Sequence, residues 1–148
     1  MRLKIPMREF QNKTYWIVGA SEGLGRALAI QLAKVGTKVI ISARSEERLI
    51  GLSEEIGSNT MVLPMDVSDR SSVQKAFSKL PKSLDGFIFV SGVYWHMSAS
   101  SWDETKAEEM VDVNLVGAMR CLAHLIPKFI NQGFGHIVSV SYTHLTLP

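Results

Sequence analysis

Three glycines near the N-terminus have the spacing of a phosphate-binding turn. Gly19, Gly23 and Gly25 lie in "WIVGASEGLGRALA", between an apolar run and a helical pattern. Without Cβ atoms, such a turn reaches positive φ, and a pyrophosphate can approach the backbone amides and the N-terminus of the next helix. Ser21 could add a hydroxyl donor. The alternative is a turn that needs glycine only for helix–strand packing. The strand–turn–helix context favours dinucleotide binding.

Five short apolar runs must position this turn, and each has the pattern of a strand buried on both faces of a parallel sheet. They are Tyr15–Val18, Val39–Ser42, Met61–Pro64, Phe87–Val90 and His136–Val140. Helical patterns alternate with them, which implies right-handed crossovers and helices on both faces. The prediction is an α/β fold with a doubly wound, Rossmann-like parallel sheet of about five strands. It occupies residues 1–140 and is incomplete at its C-terminal side.

Start signals and apolar stripes define the predicted helices. Ser45 and Ser68 are candidate N-caps, and Ser101 with Glu104 has the spacing of a capping box. Pro127 predicts a kink or a lost hydrogen bond in the last helix. The helices carry three-four apolar stripes, which are Leu24, Leu28, Leu32 and Val35 before Gly36; Leu49, Leu52 and Ile56; Val73, Phe77 and Leu80; and Leu115, Met119, Leu122, Ile126 and Phe129 before Gly133.

The composition excludes several classes of protein. The chain has 148 residues, 46% of them hydrophobic and 20% charged, as in a soluble globular domain. Its net charge of +2 is scattered, so no nucleic-acid footprint is expected, and no apolar run predicts a membrane span or a secretory signal. The histidines lack metal-ligand spacing. The single cysteine, Cys121, is expected in the core, and a reducing, cytoplasmic location is expected because no intramolecular disulfide is possible.

The glycine segment resembles the motif of the short-chain dehydrogenase/reductase family, with Val18 where that family usually has threonine. The resemblance implies that a dinucleotide cofactor binds at Gly19, Ser21, Gly23, Leu24 and Gly25. It continues in "MDVSD", where Asp66 would bond the adenine amino group and Val67 would pack on the ring. Asp66 could instead be simple helix-entry polarity.

Two further segments extend the resemblance. "FVSG" lies where the family usually has Asn-Asn-Ala-Gly, so Ser91 and Gly92 are expected to offer backbone contacts to the cofactor. "VDVNLVGA" matches the family's helix motif, which implies a supporting role in catalysis for Asn114 through a bound water. A lone asparagine in a helix could also bond merely to its own backbone. Tyr94, Trp95 and His96 follow the fourth strand and could line a substrate cleft, or Trp95 could pack under a loop.

The choice of cofactor is expected to depend on "KVIISARSEER" at the end of the second strand. An NAD site needs an acid there, about twenty residues after the glycines. The chain has Arg44 instead, which can clamp a 2′-phosphate through charge-assisted bonds. NADP(H) is therefore predicted over NAD(H). The alternative is that Arg44 is a solvated charge at a helix entry, paired with Glu47 or with a neighbour of Arg48. Glu22 in the glycine turn complicates the prediction of NADP(H), because some NADP-using relatives of the family have a basic residue there.

The C-terminal residues depart from the family pattern. "GHIVSVSY" follows the family's fifth strand to Ser141, but Tyr142 replaces the second serine, which is the catalytic one in the family. Thr146, not lysine, stands four positions beyond Tyr142, so that phenol lacks the cation that would let it act near neutrality. Ser141 is a weak stand-in. The segment "SYTHLTLP" resembles translated adapter sequence, so residues 141–148 are expected to be non-native.

These features together predict the cofactor-binding half of an NADP(H)-dependent oxidoreductase that interconverts a small-molecule carbonyl and alcohol. The chain itself is expected to be inactive, and its parent to be a homo-oligomer, with the Leu115–Phe129 stripe as a candidate interface. The alternative is a non-catalytic dinucleotide-sensing or interaction module.

Overall fold

All five predicted runs form strands of one parallel sheet in the computed structural model, which describes residues 9–140. The strands are β1 (Thr14–Val18), β2 (Lys38–Ser42), β3 (Thr60–Val62), β4 (Gly86–Phe89) and β5 (Ile137–Ser139). Their order is β3-β2-β1-β4-β5, and every neighbouring pair is parallel. From β1, the strands β2 and β3 extend the sheet to one side, and β4 and β5 extend it to the other. The strand order therefore reverses between the neighbours β1 and β4, and ligands of doubly wound sheets bind at such a point. The predicted doubly wound fold is confirmed.

Five α-helices connect or follow these strands, namely α1 (Gly23–Lys34), α2 (Glu46–Ile56), α3 (Arg70–Ser78), α4 (Glu104–Val111) and α5 (Gly117–Gln132). A π-helical turn, Asp112–Val116, joins α4 to α5, and a short 3₁₀ turn, Ala99–Ser101, precedes α4. α5 continues through Pro127 and ends at Gly133, whose φ of 79° is left-handed. Gly133 therefore terminates the helix as predicted.

Two hydrophobic clusters cover the two faces of the sheet. Tyr15 and Ile17 of β1 face a cluster that includes residues of α1 and α2, whereas Trp16 and Val18 face the cluster under α3 and α5. Alternate residues of a strand point to opposite faces, so β1 is buried on both. Cys121 lies in the second of these clusters with no exposed surface, as predicted.

Two predicted helix caps are wrong. Asp69, not Ser68, caps α3, since its carboxylate accepts from the Ser71 amide at 2.8 Å. Asp103 caps α4, and the capping box found nearby joins Ser98 to Ser101. In both cases an aspartate one or two residues further along the chain competes as an acceptor for the same free amides. The predicted cap of α2, Ser45, is confirmed, with its hydroxyl 3.4 Å from the Arg48 amide.

Two of the predicted apolar stripes are only partly buried. Leu32 is buried in α1, but Leu24 and Val35 are exposed. In α5 and the turn before it, the buried residues are Val113, Gly117, Ala118, Cys121, Leu125 and Phe129. Leu115, Met119 and Ile126 form an exposed apolar stripe instead. Met119 and Ile126 each follow a buried residue of α5, Ala118 and Leu125, by one position, which is about 100° around the helix and off its buried face.

One helical run, Glu104–Gln132, is long and apolar enough by length and composition to cross a membrane, a result that the sequence reading did not anticipate. It arises because α4, the π-helical turn and α5 continue without a break. A single such helix in the described residues is weak evidence, because core helices of soluble proteins meet the same criterion. Cys121 and Leu125 in this run are fully buried against the sheet.

β5 lies at an edge of the described sheet and pairs only with β4. Ile137 and Ser139 are exposed there, as expected for an edge strand. Residues 141–148 of the expected non-native tail, which include Ser141, Tyr142 and Thr146, lie outside the described residues, so the predicted boundary after residue 140 stays a prediction.

Candidate dinucleotide site

A cleft of about 290 Å³ opens beyond the carboxyl ends of β1, β2 and β4. All of the predicted cofactor-binding residues line it, namely Gly19, Ser21, Gly23, Leu24, Gly25, Arg44, Asp66, Val67, Ser91 and Gly92. They come from four loops, and the first and last of these residues, Gly19 and Gly92, are 73 positions apart in the chain. The sheet order brings them together because the carboxyl ends of parallel strands meet at one edge.

The glycine turn serves both packing and ligand access. A Cβ on Gly25 would lie 2.1 Å from the Gly19 carbonyl oxygen, and one on Gly19 would lie 2.5 Å from the Ser91 amide nitrogen. Those two glycines let α1, β1 and the β4 loop approach one another. Gly23 has a φ of 55° and no atom near its missing Cβ, so its backbone is open to the cleft. The packing alternative therefore applies to Gly19 and Gly25, whereas Gly23 is the glycine whose backbone a ligand could approach.

The first turn of α1 has free amides at this cleft. Glu22 is the N-cap residue, but its side chain makes no capping hydrogen bond. Hydrogen bonding within the helix begins with the Arg26 amide, which donates to the Glu22 carbonyl oxygen. The amides of Gly23, Leu24 and Gly25 precede that bond and have no partner among the described residues. An uncapped helix start carries partial positive charge and suits an anion.

Asp66 and Val67 form the wall opposite the glycine turn. Asp66 Oδ1 accepts from the Ser68 amide at 2.9 Å and from the Ser68 hydroxyl at 2.6 Å. Its Oδ2 has no hydrogen bond within residues 9–140. Asp66 therefore organises the entry to α3, as the alternative reading had it, while one oxygen remains free. Val67 is buried, and a Cβ on Gly117 would lie 2.8 Å from its Cγ2.

Asn114 holds the β4 loop rather than lining the cleft. Its Oδ1 accepts from the Val93 amide at 2.7 Å, and its Nδ2 donates to the Val93 carbonyl oxygen at 2.9 Å. Oδ1 also lies 3.3 Å from where a Cβ of Gly92 would be. The π-helical turn presents this side chain to the loop. Its predicted part in catalysis is left untested by these contacts.

Arg120 is a site residue that the sequence reading missed. Its guanidinium donates to both carboxylate oxygens of Asp112, at 2.7 and 3.1 Å, and to the Val67 carbonyl oxygen at 3.0 Å. The hydrogen bonds from Arg120 hold the pKa of Asp112 below its usual value. Arg120 thus connects the π-helical turn to the cleft wall. The sequence offered one signal, an arginine beside an apolar stripe. Its partner Asp112 could not be inferred, because it lies eight positions away and helical pairs form at three or four positions.

Arg44 and Arg48 both line the rim of the cleft. Arg44 is exposed, and no carboxylate in the described part of the chain lies within ion-pair distance of it, so the expected alternative partner, Glu47, does not hold it. Arg48 pairs with Glu22 of the glycine turn, with Nη1 2.6 Å from Oε2. The sequence analysis did not single out Arg48. It lies in the first turn of α2, four positions after Arg44, which precedes the helix.

The aromatic residues after β4 are absent from the cleft lining. Trp95 packs on α4, where its indole nitrogen donates to Glu109 at 2.9 Å and Lys106 lies 5.9 Å from its ring centroid. Tyr94 is exposed. Trp95 is 41% exposed on the surface of α4, so neither a place in this cleft nor the alternative of packing under a loop is confirmed.

The arrangement fits part of a dinucleotide. The cleft lies at the lower end of the range of about 300–1,000 Å³ typical of small-molecule sites. It combines free helix amides for a diphosphate, an arginine at the rim and an apolar wall at Val67. No cluster of metal-ligating residues occurs in the described part of the chain.

A family model described as short chain dehydrogenase matches residues 13–144. The chain is also 36% identical, over 140 residues, to the NADPH-dependent pterin aldehyde reductase of Arabidopsis thaliana, covering 87% of this chain and 56% of that protein. An uncharacterized oxidoreductase of Staphylococcus haemolyticus is 31% identical over 139 residues, which are 91% of this chain and 60% of that protein.

The fold is similar to known structures as well. The closed form of a serine dehydrogenase complexed with NADP⁺ superposes with a TM-score of 0.84 at 26% identity. The match covers 88% of this chain and 54% of that one. The chain thus spans between 54% and 60% of the length of these three proteins.

Proposed function

Because the chain belongs to the short-chain dehydrogenase family, we propose that it is the dinucleotide-binding part of an NADP(H)-dependent oxidoreductase. The whole protein interconverts a carbonyl and an alcohol on a small molecule. The uncapped start of α1, facing a cleft at the point where the strand order reverses, carries this proposal. An anion there would satisfy amides that no part of the described chain satisfies.

The residues of the cleft have distinct roles in this proposal. The amides of Gly23, Leu24 and Gly25, with the Ser21 hydroxyl, hold the diphosphate. Arg44 bonds the 2′-phosphate. The free Oδ2 of Asp66 accepts from the adenine amino group, Val67 packs on the ring, and Ser91 and Gly92 offer backbone contacts. Asn114 supports catalysis by keeping this loop in place.

The preference for NADP(H) is supported by charge. Arg44 is exposed at the rim and unpaired within the described residues, so a phosphate does not have to displace a carboxylate from it. An arginine–phosphate pair is charge-assisted and frequently bidentate. Among relatives, the Arabidopsis reductase is named as NADPH-dependent, and the serine dehydrogenase structure holds NADP⁺.

The nicotinamide ring supplies a hydride when the cofactor is bound, and a carbonyl that accepts it also needs a proton. Within residues 9–140, the cleft lining contains no tyrosine and no lysine. The 148-residue chain is therefore proposed to bind cofactor without reducing substrate. Incubating it with NADPH and a panel of aldehydes and ketones tests this point, and steady turnover at an ordinary enzymatic rate would contradict it.

Cofactor titration tests the binding proposal. The unmodified chain should bind NADPH more tightly than NADH, and Arg44→Ala should raise the Kd for NADPH about tenfold or more, since a hydrogen bond to a charged group contributes about 1.5–3 kcal/mol. Its Kd for NADH should change less than about twofold. Arg70→Ala, which removes an arginine outside the cleft, is the control. Equal NADPH binding by the Arg44→Ala variant and the unmodified chain would refute the role of Arg44.

A dinucleotide-sensing module remains the second candidate, because the described cleft lining has no proton donor of the required type. Tight NADPH binding by a stable monomer, with no gain of activity when a longer gene product is tested, would favour it.

The enzyme proposal also includes a cytoplasmic location and a homo-oligomer. The exposed stripe of Leu115, Met119 and Ile126 supports the second of these.

A further inference from the structure

An ion pair bridges the rim of the cleft beside Arg44. Glu22 belongs to the glycine turn, and Arg48 lies in the first turn of α2, so the pair joins two walls of the cleft. Arg48 Nη1 lies 2.6 Å from Glu22 Oε2. Both side chains are well exposed, at 59% for Arg48 and 75% for Glu22.

The fold does not depend on this pair. Exposed ion pairs contribute little to stability, because water and salt screen them and two long side chains must be ordered. A second pair, Arg26 with Glu55, already joins α1 to α2 away from the cleft. Removing the Glu22–Arg48 pair should therefore leave the two helices in place.

The positions of the charges indicate a role in binding. The charged residues that line the cleft in the described chain are Glu22, Arg44, Arg48 and Asp66. Glu22 would repel a phosphate at the rim, and Arg48 neutralises that carboxylate. A guanidinium has five N–H donors, and only Nη1 of Arg48 is engaged with Glu22. The remaining donors can bond a second anion while the pair persists.

We infer that Arg48 is a second specificity-determining residue, which together with Arg44 binds the 2′-phosphate of the cofactor, and that Glu22 limits the affinity by holding Arg48. Arg44 and Arg48 flank Ser45, and all three residues line the cleft. Two cations on either side of a helix start match a doubly charged phosphate better than one. This inference rests on the proposed function and extends it to a residue outside the glycine and strand-end motifs.

The test uses two nucleotides that differ only by the 2′-phosphate, 2′,5′-ADP and 5′-AMP, titrated into the full chain by calorimetry. Arg48→Gln should raise the Kd for 2′,5′-ADP about tenfold and change that for 5′-AMP less than about twofold. Glu22→Gln releases Arg48 and removes a repelling charge, so it should lower the Kd for 2′,5′-ADP about threefold. Arg26→Gln is the matched control, since it removes an exposed, paired arginine of α1 outside the cleft, and both Kd values should stay unchanged.

Each contrary outcome has its own meaning. If Arg48→Gln weakens both nucleotides equally, or no more than Arg26→Gln does, the inference is wrong. If Arg44→Ala alone abolishes the preference for 2′,5′-ADP while Arg48→Gln has no effect, the proposed function stands and the inference fails. If the unmodified chain binds neither nucleotide, both fail. A thermal melt of each variant verifies that it is folded.

Discussion

Asn114 and Val93 are joined by a reciprocal pair of hydrogen bonds: the Val93 amide donates to Asn114 Oδ1 at 2.7 Å, and Asn114 Nδ2 donates to the Val93 carbonyl oxygen at 2.9 Å. The pair fixes the loop after β4 to the π-helical turn. Ser91 and Gly92, just before Val93, line the cleft. The position of this wall therefore depends on one side chain of the helix that follows.

Replacing Asn114 with aspartate should weaken the cleft wall more than replacing it with alanine. Alanine loses both hydrogen bonds, which should cost about 1–2 kcal/mol of the free energy of unfolding. Aspartate keeps one acceptor but places a charged oxygen against the Val93 carbonyl oxygen. Urea unfolding and NADPH titration measure both effects. Asn131→Ala, at an exposed position of α5, is the control. A comparable loss of stability and NADPH affinity in that variant would contradict the role of Asn114 in holding the loop after β4.

A methyl group at Gly25 should destabilise the chain, whereas one at Gly51 should not. The Gly25 Cβ would lie 2.1 Å from a backbone oxygen that cannot move aside, so a loss of about 1–3 kcal/mol is expected. Gly51 lies inside α2 with open space around it, so alanine there should add about 0.5–1 kcal/mol through helix propensity. Chemical unfolding of the two variants measures the contrast. Equal stability in both would contradict the close packing of α1 on the glycine turn.

The pair of Asp112 and Arg120 should make stability dependent on pH in the acid range. Arg120 lowers the pKa of Asp112 in the folded chain, so the stabilisation is complete above the unfolded value near ~3.9 and is lost as the pH falls through the folded pKa. Asp112→Asn should therefore cost about 1 kcal/mol at pH 7, a modest value because the carboxylate is partly exposed. The difference should shrink below about pH 4. Glu108→Gln, at an exposed and unpaired position, should show no such trend.

Cys121 should resist alkylation until the core opens. Burial raises the pKa of its thiol to about 12, and the residue has no exposed surface. At pH 8 almost none of it is the reactive thiolate. Iodoacetamide should label the native chain at least about a hundredfold more slowly than the urea-unfolded chain, in which the thiol has an ordinary pKa near ~8.5. Because this is the only cysteine, the unfolded chain is its own control. Rapid labelling of folded protein would place the thiol outside the core.

Local sequence determined the elements and the family of this protein. Five apolar runs predicted five strands because burial on both faces of a parallel sheet requires apolar residues in succession. The glycine spacing identified the turn, since only glycine allows both its positive φ and its close approach to Ser91. The resemblance carried by these segments led to the family that the whole chain matches.

Tertiary structure alone decided which side chains meet. Arg48 finds Glu22 because the parallel pairing of β1 and β2 places their following loops side by side, 26 residues apart in sequence. Arg120 reaches Asp112 and Val67 because a π-helical turn shifts the helical register, an irregularity that a regular count of apolar positions does not reveal. Leu115 and Met119 are exposed, although the regular stripe had placed them on one face with the buried Phe129. Spacing along the chain reports local conformation, whereas contacts between loops depend on how the strands are ordered in the sheet.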